Sequence, residues 1–126
     1  MEKEFIPYEQ ALALKELGFD EPCILLYRGL DTQPVCQMGY ELKTEKNSYY
    51  SDETNYWITV PTFSQAFRWF REKYQLHSTI TSISQESWQW HITKPGESLG
   101  KMYQIDFYTY EETELECLKK LIEIVK

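Results

Sequence analysis

Basic residues are in short supply in this chain. Thirteen Lys and Arg stand against twenty Asp and Glu, for a formal net charge of −7 and a pI near 4.9. Sequence-independent binding to nucleic acid draws on a basic footprint that releases counterions, so the balance argues against it. The same balance argues against anionic membrane surfaces. A local basic patch on an acidic protein would still pass this filter, and protein partners are favoured. Glycine is also scarce, with five scattered residues and no loop that would cradle a phosphate. Gly-x-Ser-x-Gly, His-Glu-x-x-His and Cys-x-x-Cys are all missing, so no catalytic residue and no cofactor is expected. The three cysteines, Cys23, Cys36 and Cys117, are odd in number and widely spaced. They read as reduced thiols. His77 and His91 stand alone, without the clustering of a zinc site, so no metal is expected. No apolar run approaches the ~18–20 residues of a membrane span. Met1-Glu2-Lys3-Glu4 leads into no apolar core and Pro7 interrupts the first apolar residues, so no signal peptide and a cytoplasmic location are expected.

What the chain has in quantity is rings. Ten Tyr, six Phe and four Trp make 16% of its 126 residues. A chain of this length buries roughly two-thirds of its unfolded surface, enough for a core without metal or disulfide. Residues 1–126 are read as one domain whose core is largely aromatic.

In chain order, Pro7 opens a helical pattern from Tyr8 to Leu17 that Gly18 closes. Its face is Tyr8, Ala11, Leu12 and Lys15, widened by Leu14 and Leu17. Phe19 is expected to fold back over the helix end. Cys23–Arg28 reads as a strand, Val35–Leu42 as a weaker one, Lys43–Thr54 as an exposed polar loop and Asn55–Val60 as a short strand. Then comes the segment that organises the rest, Val60–Leu76. Thr62 with Gln65 is a capping-box pattern. Phe63, Ala66, Phe67, Phe70 and Tyr74 form one stripe, with Trp69 at its edge and Arg68, Arg71 and Lys73 on the other faces. Past it the period changes from helix to strand. Thr79–Ile83 and Ser87–Thr93 are strands, the second placing Trp88, Trp90 and Ile92 on one face. After the turn Lys94–Gly100, a strand over Lys101–Tyr108 places Tyr103, Ile105 and Phe107 on one face, with Gln104 and Asp106 opposite. The alternation predicts a hairpin buried on one side, with the Phe63/Phe67/Phe70 stripe packed on the Trp88/Trp90 face. Thr109 and Glu112 form a second capping box, and Glu111, Glu112 and Glu114 complement the helix N-terminus. That last helix carries the stripe Leu115, Leu118, Ile122 and Val125, widened by Leu121, with Lys119 and Lys120 in its C-terminal half. The expected fold class is α+β: three helices mainly on one face of an antiparallel sheet of about four to six strands.

Two groups form a candidate interaction surface. Arg68, Trp69 and Arg71 put cations beside a ring, the chemistry of an acidic partner, although a solvated helix face with Glu72 and other carboxylates pairing the cations is the more ordinary account. Tyr49 and Tyr50 are adjacent rings in a polar loop, with Tyr56 and Trp57 nearby. Rings of this kind anchor protein interfaces or stack on bases, and the stacking version lacks a basic groove. His91 and Asp106 could face each other across the hairpin as a general-base pair, but no spacing places a nucleophile beside them.

Three blocks carry a resemblance. They are Glu9-Gln-Ala-Leu-Ala-Leu-Lys-Glu-Leu-Gly-Phe-Asp-Glu-Pro-Cys23, Gln65-Ala-Phe-Arg-Trp-Phe-Arg-Glu-Lys-Tyr74, and the stretch from Tyr110-Glu-Glu-Thr-Glu-Leu-Glu-Cys to Lys126. Together they resemble small uncharacterised proteins of gut anaerobic bacteria, their prophages and other mobile elements. The blocks cover about a third of the chain, and residues 24–60 and 77–109 match no pattern of that family. The family brings no activity, cofactor or catalytic residue. It implies a phage-type accessory protein inside a bacterial cell. The expected function is therefore non-enzymatic protein–protein binding. Two alternatives stand beside it: an acidic inhibitor of host defence or of a nucleic-acid enzyme that mimics nucleic acid, and an enzyme with an unrecognised site around His91 and Asp106.

Overall fold

The structure, a computed structural model, describes residues 2–28, 34–36, 46–47, 57–99 and 102–126. The chain divides into two compact units, Met1–Thr62 and Phe63–Lys126.

In the first unit, helix α1 spans Tyr8–Glu16. Pro7 precedes it with φ of −67°, a preset helical value, and its missing N–H is one the helix start would not have used. At the other end Gly18 takes φ of +97°, the left-handed conformation that costs glycine least. The Gly18 amide donates to the Lys15 carbonyl (3.1 Å) and the Phe19 amide to that of Leu14 (2.9 Å), the paired bonds of a Schellman stop. Phe19 is 1% exposed, so the ring does fold inward as expected. The buried face of α1 is Gln10, Ala11 and Leu14, rotated slightly from the expected one.

Strand β1, Leu25–Arg28, is the centre of a three-stranded antiparallel sheet, between β2 (Pro34–Cys36) and β3 (Trp57–Val60). The register sets Leu26 opposite Thr59 and Leu25 opposite Val60. α1 packs on β3. The Tyr27 hydroxyl donates to the Ile6 carbonyl (3.1 Å) while the Ile6 amide donates to that of Pro61 (3.1 Å). One buried tyrosine thus ties the N-terminal segment to β1. Its ring also meets Tyr8 edge-on at 5.3 Å.

Asn47 lies in the stretch expected to be an exposed polar loop, yet it is 6% exposed. Its Nδ2 donates to the Phe19 carbonyl (2.8 Å) and its Oδ1 accepts from the Thr59 amide (2.9 Å). A single side-chain amide therefore links the turn after α1 to β3. Buried polar groups must find partners, and both halves of this amide do.

In the second unit, helix α2 (Phe63–Tyr74) begins immediately after Thr62. Strands β4 (His77–Ser84), β5 (Ser87–Thr93) and β6 (Tyr103–Phe107) then form an antiparallel meander, and helix α3 (Tyr110–Val125) comes last. The turn before β6 has Pro95, then Gly96 at φ of +80°, with the Glu97 amide donating to the Lys94 carbonyl (3.1 Å). That is the sequence logic of a type II turn, which needs a left-handed residue third. Thr109 caps α3 as expected, its Oγ1 accepting from the Glu112 amide (3.1 Å). α3 packs across all three strands, whereas α2 packs on β4 and α3. The helix seated on the Trp88/Trp90 strand is thus chiefly α3, a correction to the expected role of α2.

The α+β class with three helices is as expected. The sheet differs: the six described strands fall into two sheets of three rather than one of four to six, and α1 packs on the first sheet while α2 and α3 pack on the second. β1 pairs with the distant β3 as well as with β2, and residue periodicity carries no information on which strands pair.

Replacing Asn47 with Ala would leave the Thr59 amide buried without its acceptor. The expected outcome is a loss of about 2–3 kcal/mol, read as a lowered urea midpoint at unchanged slope. An unchanged midpoint would show that the clamp contributes nothing.

Candidate functional site

Arg68 and Arg71 are exposed on α2, as expected. Trp69, grouped with them on sequence grounds, is only 6% exposed. It meets Phe70 edge-on at 5.1 Å and Tyr74 at 5.5 Å, and the Lys73 Nζ sits 4.9 Å above its ring. The reason is the helical period. Trp69 lies three positions after the fully buried Ala66, so Phe63, Ala66, Trp69 and Phe70 face inward, while Phe67 and Tyr74 fall half-buried at the margin. Trp69 is core rather than surface. Tyr49 and Tyr50 lie outside the described residues.

The His91–Asp106 pairing does not form by register. His91 lies opposite Tyr103, whose ring it meets edge-on at 6.4 Å. Asp106 is three positions further along β6, roughly 10 Å at a strand's rise, beyond even a diagonal neighbour.

The cause is a register shift. Trp88 pairs with Phe107, but Trp90 pairs with Gln104, so two steps along β5 match three along β6. One extra residue flips every side chain beyond it to the other face. Phe107 therefore turns inward (8% exposed), while Tyr103 and Ile105 turn outward at 46% and 43%. Tyr108 and Tyr110 continue the exposed run at 73% and 42%. Four large apolar side chains within eight residues are thus presented to solvent. Sequence reasoning missed them because strict alternation put Tyr103, Ile105 and Phe107 on one buried face, and nothing in the residue types marks the extra position.

A groove of about 300 Å³ lies between β6 and the C-terminal half of α3, with Trp90, Gln104, Lys119 and Lys120 in its wall. Each lysine is paired within the helix, Lys119 to Glu116 at 3.0 Å and Lys120 to Glu123 at 3.1 Å. The groove therefore selects no sign of ligand, and His91 is not in its lining.

Beneath the first turns of α3 sits a second arrangement that the sequence conceals. The sequence groups Glu114 with Glu111 and Glu112 as acids that complement the helix N-terminus, but unlike them it is 8% exposed, on the helix's buried side. Burial pushes its carboxyl up to about 7, the Glu111 charge adds to this, and a hydrogen bond with Tyr110 partly offsets it. One turn on, Cys117 is fully buried. Burial pushes its thiol up to about 12, with Glu114 adding and a hydrogen bond with Ser78 offsetting. A thiol raised in this way by burial carries little thiolate at neutral pH. Tyr110 is raised by its own burial first and by Glu114 next. Its ring meets Trp88 edge-on at 5.5 Å. Among the described residues no group of three or more His, Cys, Asp or Glu could hold a metal ion, and no helix is long and apolar enough to cross a membrane.

No family model matches the chain, and neither a curated protein nor a solved structure does.

The raised Glu114 fixes the sign of a pH effect. Its carboxyl holds a proton in the folded state up to about 7, against 4.5 for the ordinary group. The folded protein therefore binds more protons inside that window, and stability should fall as pH climbs through it and level off above. Glu114→Gln should flatten the slope and be the more stable protein in mild alkali, by no more than about 3 kcal/mol. Chemical denaturation across the window checks this, and parallel wild-type and variant curves would refute it.

Proposed function

We propose that the chain is a non-enzymatic accessory protein, of the phage or mobile-element type, that works by binding another protein. The observation that carries this reading is the outward run of Tyr103, Ile105, Tyr108 and Tyr110. Interface hot spots are enriched in Tyr, because a rigid ring buries much area at small entropic cost and keeps a polar tip for the rim. The exposed Arg68 and Arg71 on α2 offer a second contact suited to carboxylates on the partner. Such a protein works in the cytoplasm without a cofactor, and neither nucleic acid nor membrane is its target.

A second reading, an acidic inhibitor that mimics nucleic acid, draws on the uneven distribution of charge. Residues 1–62 carry eleven Asp and Glu against five Lys and Arg, whereas residues 63–126 carry nine against eight. Nearly all the excess negative charge thus lies on the first unit. The two readings put the contact on different units.

A photo-crosslinking amino acid at Tyr108 should capture the partner from a host lysate. Combined Ile105→Ser and Tyr108→Ser substitutions should cut unlabelled pull-down of that protein by about tenfold or more, with thermal unfolding unchanged. Arg68→Ala with Arg71→Ala should have a smaller, salt-dependent effect. Undiminished capture by the Ile105/Tyr108 variant would defeat the binding surface. If competing duplex DNA displaced the partner, the mimic would take its place.

A further inference from the structure

We propose that the outer edge of β4 pairs with β4 of a second copy of this chain, antiparallel and centred on Ile80, so that two three-stranded sheets become one of six. β4 is an outside strand, paired among the described residues with β5 alone. An outside strand presents a row of unpaired N–H and C=O groups, and chains that stay apart blunt such a row with shortness, charge, proline or a bulge. The other three described edges are blunted in these ways. β2 is three residues long and starts with Pro34. On the outer side of β3 the Thr59 amide is already taken by the Asn47 side chain. β6 has five residues, a register shift and Asp106. β4 runs for eight residues, His-Ser-Thr-Ile-Thr-Ser-Ile-Ser, with no proline and no Asp, Glu, Lys or Arg. Its register against β5 is regular from His77 to Ser82 and shifts only at the far end. Five of its eight residues are exposed, including Ile83 at 53%.

The sequence of β4 suits its own copy. An antiparallel pair about a two-fold axis matches residues equidistant from the axis, and matched residues face the same side of the sheet. Centred on Ile80, the strand sets Thr79 opposite Thr81, Ser78 opposite Ser82 and Ile80 opposite itself, with the exposed Ile83 falling opposite His77. Threonine and β-branched pairs of this kind are favourable across strands, and no like charges meet. Ile80 lies across from the buried Trp90 yet is only half-buried, because no described strand continues the sheet beyond it. Its copy would cover that flank. The net charge of −7 is no obstacle, since residues 63–126, with nine Asp and Glu against eight Lys and Arg, account for −1 of it.

The joined sheet would run from β6 through β5 to β4 and back through the copy, leaving a β6 at each outer edge. The two would lie about 24 Å apart at a sheet's strand spacing. The dimer would therefore show a partner two copies of the run from Tyr103 to Tyr110. That consequence rests on the binding function proposed above, whereas the pairing itself does not. A single shared ladder is a small interface, below the roughly 1,200 Å² of stable ones, so the dimer should dissociate on dilution.

The experiment is sedimentation velocity of the full chain from about 1 to about 200 μM, with amide hydrogen exchange at both ends of that range. Wild type should pass from monomer to dimer, and β4 amides should gain protection in the dimer while those of β2 do not. Thr79→Lys with Thr81→Lys sets like charges opposite each other twice and should raise the dissociation constant about tenfold or more, with circular dichroism unchanged. Thr79→Lys with Thr81→Glu sets opposite charges there instead and should restore the dimer. A wild type that stays monomeric throughout would overturn the pairing. So would a dimer whose β4 amides gain no protection, or a Thr79→Lys/Thr81→Glu variant as monomeric as Thr79→Lys/Thr81→Lys. Any of these results would leave the binding function standing. Failure of the binding function would show instead as undiminished capture by the Ile105/Tyr108 variant, with sedimentation unaffected.

Discussion

One extra residue in β6 decides which side of the second unit is greasy. Between the Trp88–Phe107 and Trp90–Gln104 pairs the two strands lose step, and a sheet's period of two turns a single insertion into an exchange of faces. Phe107 joins Trp90 and Ile92 on the side that α3 covers, and Tyr103 and Ile105 are delivered to water. Without the shift, the strand would bury all three of its large side chains and the surface would read as an ordinary polar sheet face. Bulges cost regular ladder bonding and persist where they re-aim a side chain. Here the re-aimed side chains are the ones best suited to contact another protein.

Two buried polar residues show opposite solutions to one physical problem. Asn47 is neutral, and both ends of its amide are satisfied by the backbone of the elements it joins. It can therefore act as a permanent clamp. Glu114 is ionisable and has a tyrosine hydroxyl and a like charge for company. Burial makes that carboxyl easier to protonate in the folded protein than in the unfolded chain, so its contribution to stability falls as pH rises. The first arrangement favours a fixed structure and the second favours one that responds to pH.

Much of the local structure is legible in the sequence because its causes are local. Pro7 and Gly18 bracket α1, Thr109 with Glu112 opens α3, and the Pro95-Gly96 turn sets up the meander. Each rests on backbone chemistry within a few residues. What escapes a sequence reading is set by partners far along the chain. Asn47 looks like any loop asparagine until Phe19 and Thr59 are placed beside it. Trp69 looks like an edge residue until the inward direction is fixed by what α2 packs on. Glu114 looks like one more helix-start acid, since Glu111 and Glu112 do face solvent. The bulge leaves no trace in residue type, so the exposed run from Tyr103 to Tyr110 is invisible in the sequence, and pairing His91 with Asp106 assumes a register that does not exist.

The central claim, that β6 inverts its faces, is tested most directly by hydroxyl-radical footprinting of the intact chain with residue-level mass spectrometry. Tyr103, Ile105 and Tyr108 should oxidise rapidly and Phe107 slowly, in line with their respective exposures of 46%, 43%, 73% and 8%. Equal protection of Tyr103, Ile105 and Phe107 would mean that the strand alternates without a bulge, and the proposed binding surface would go with it.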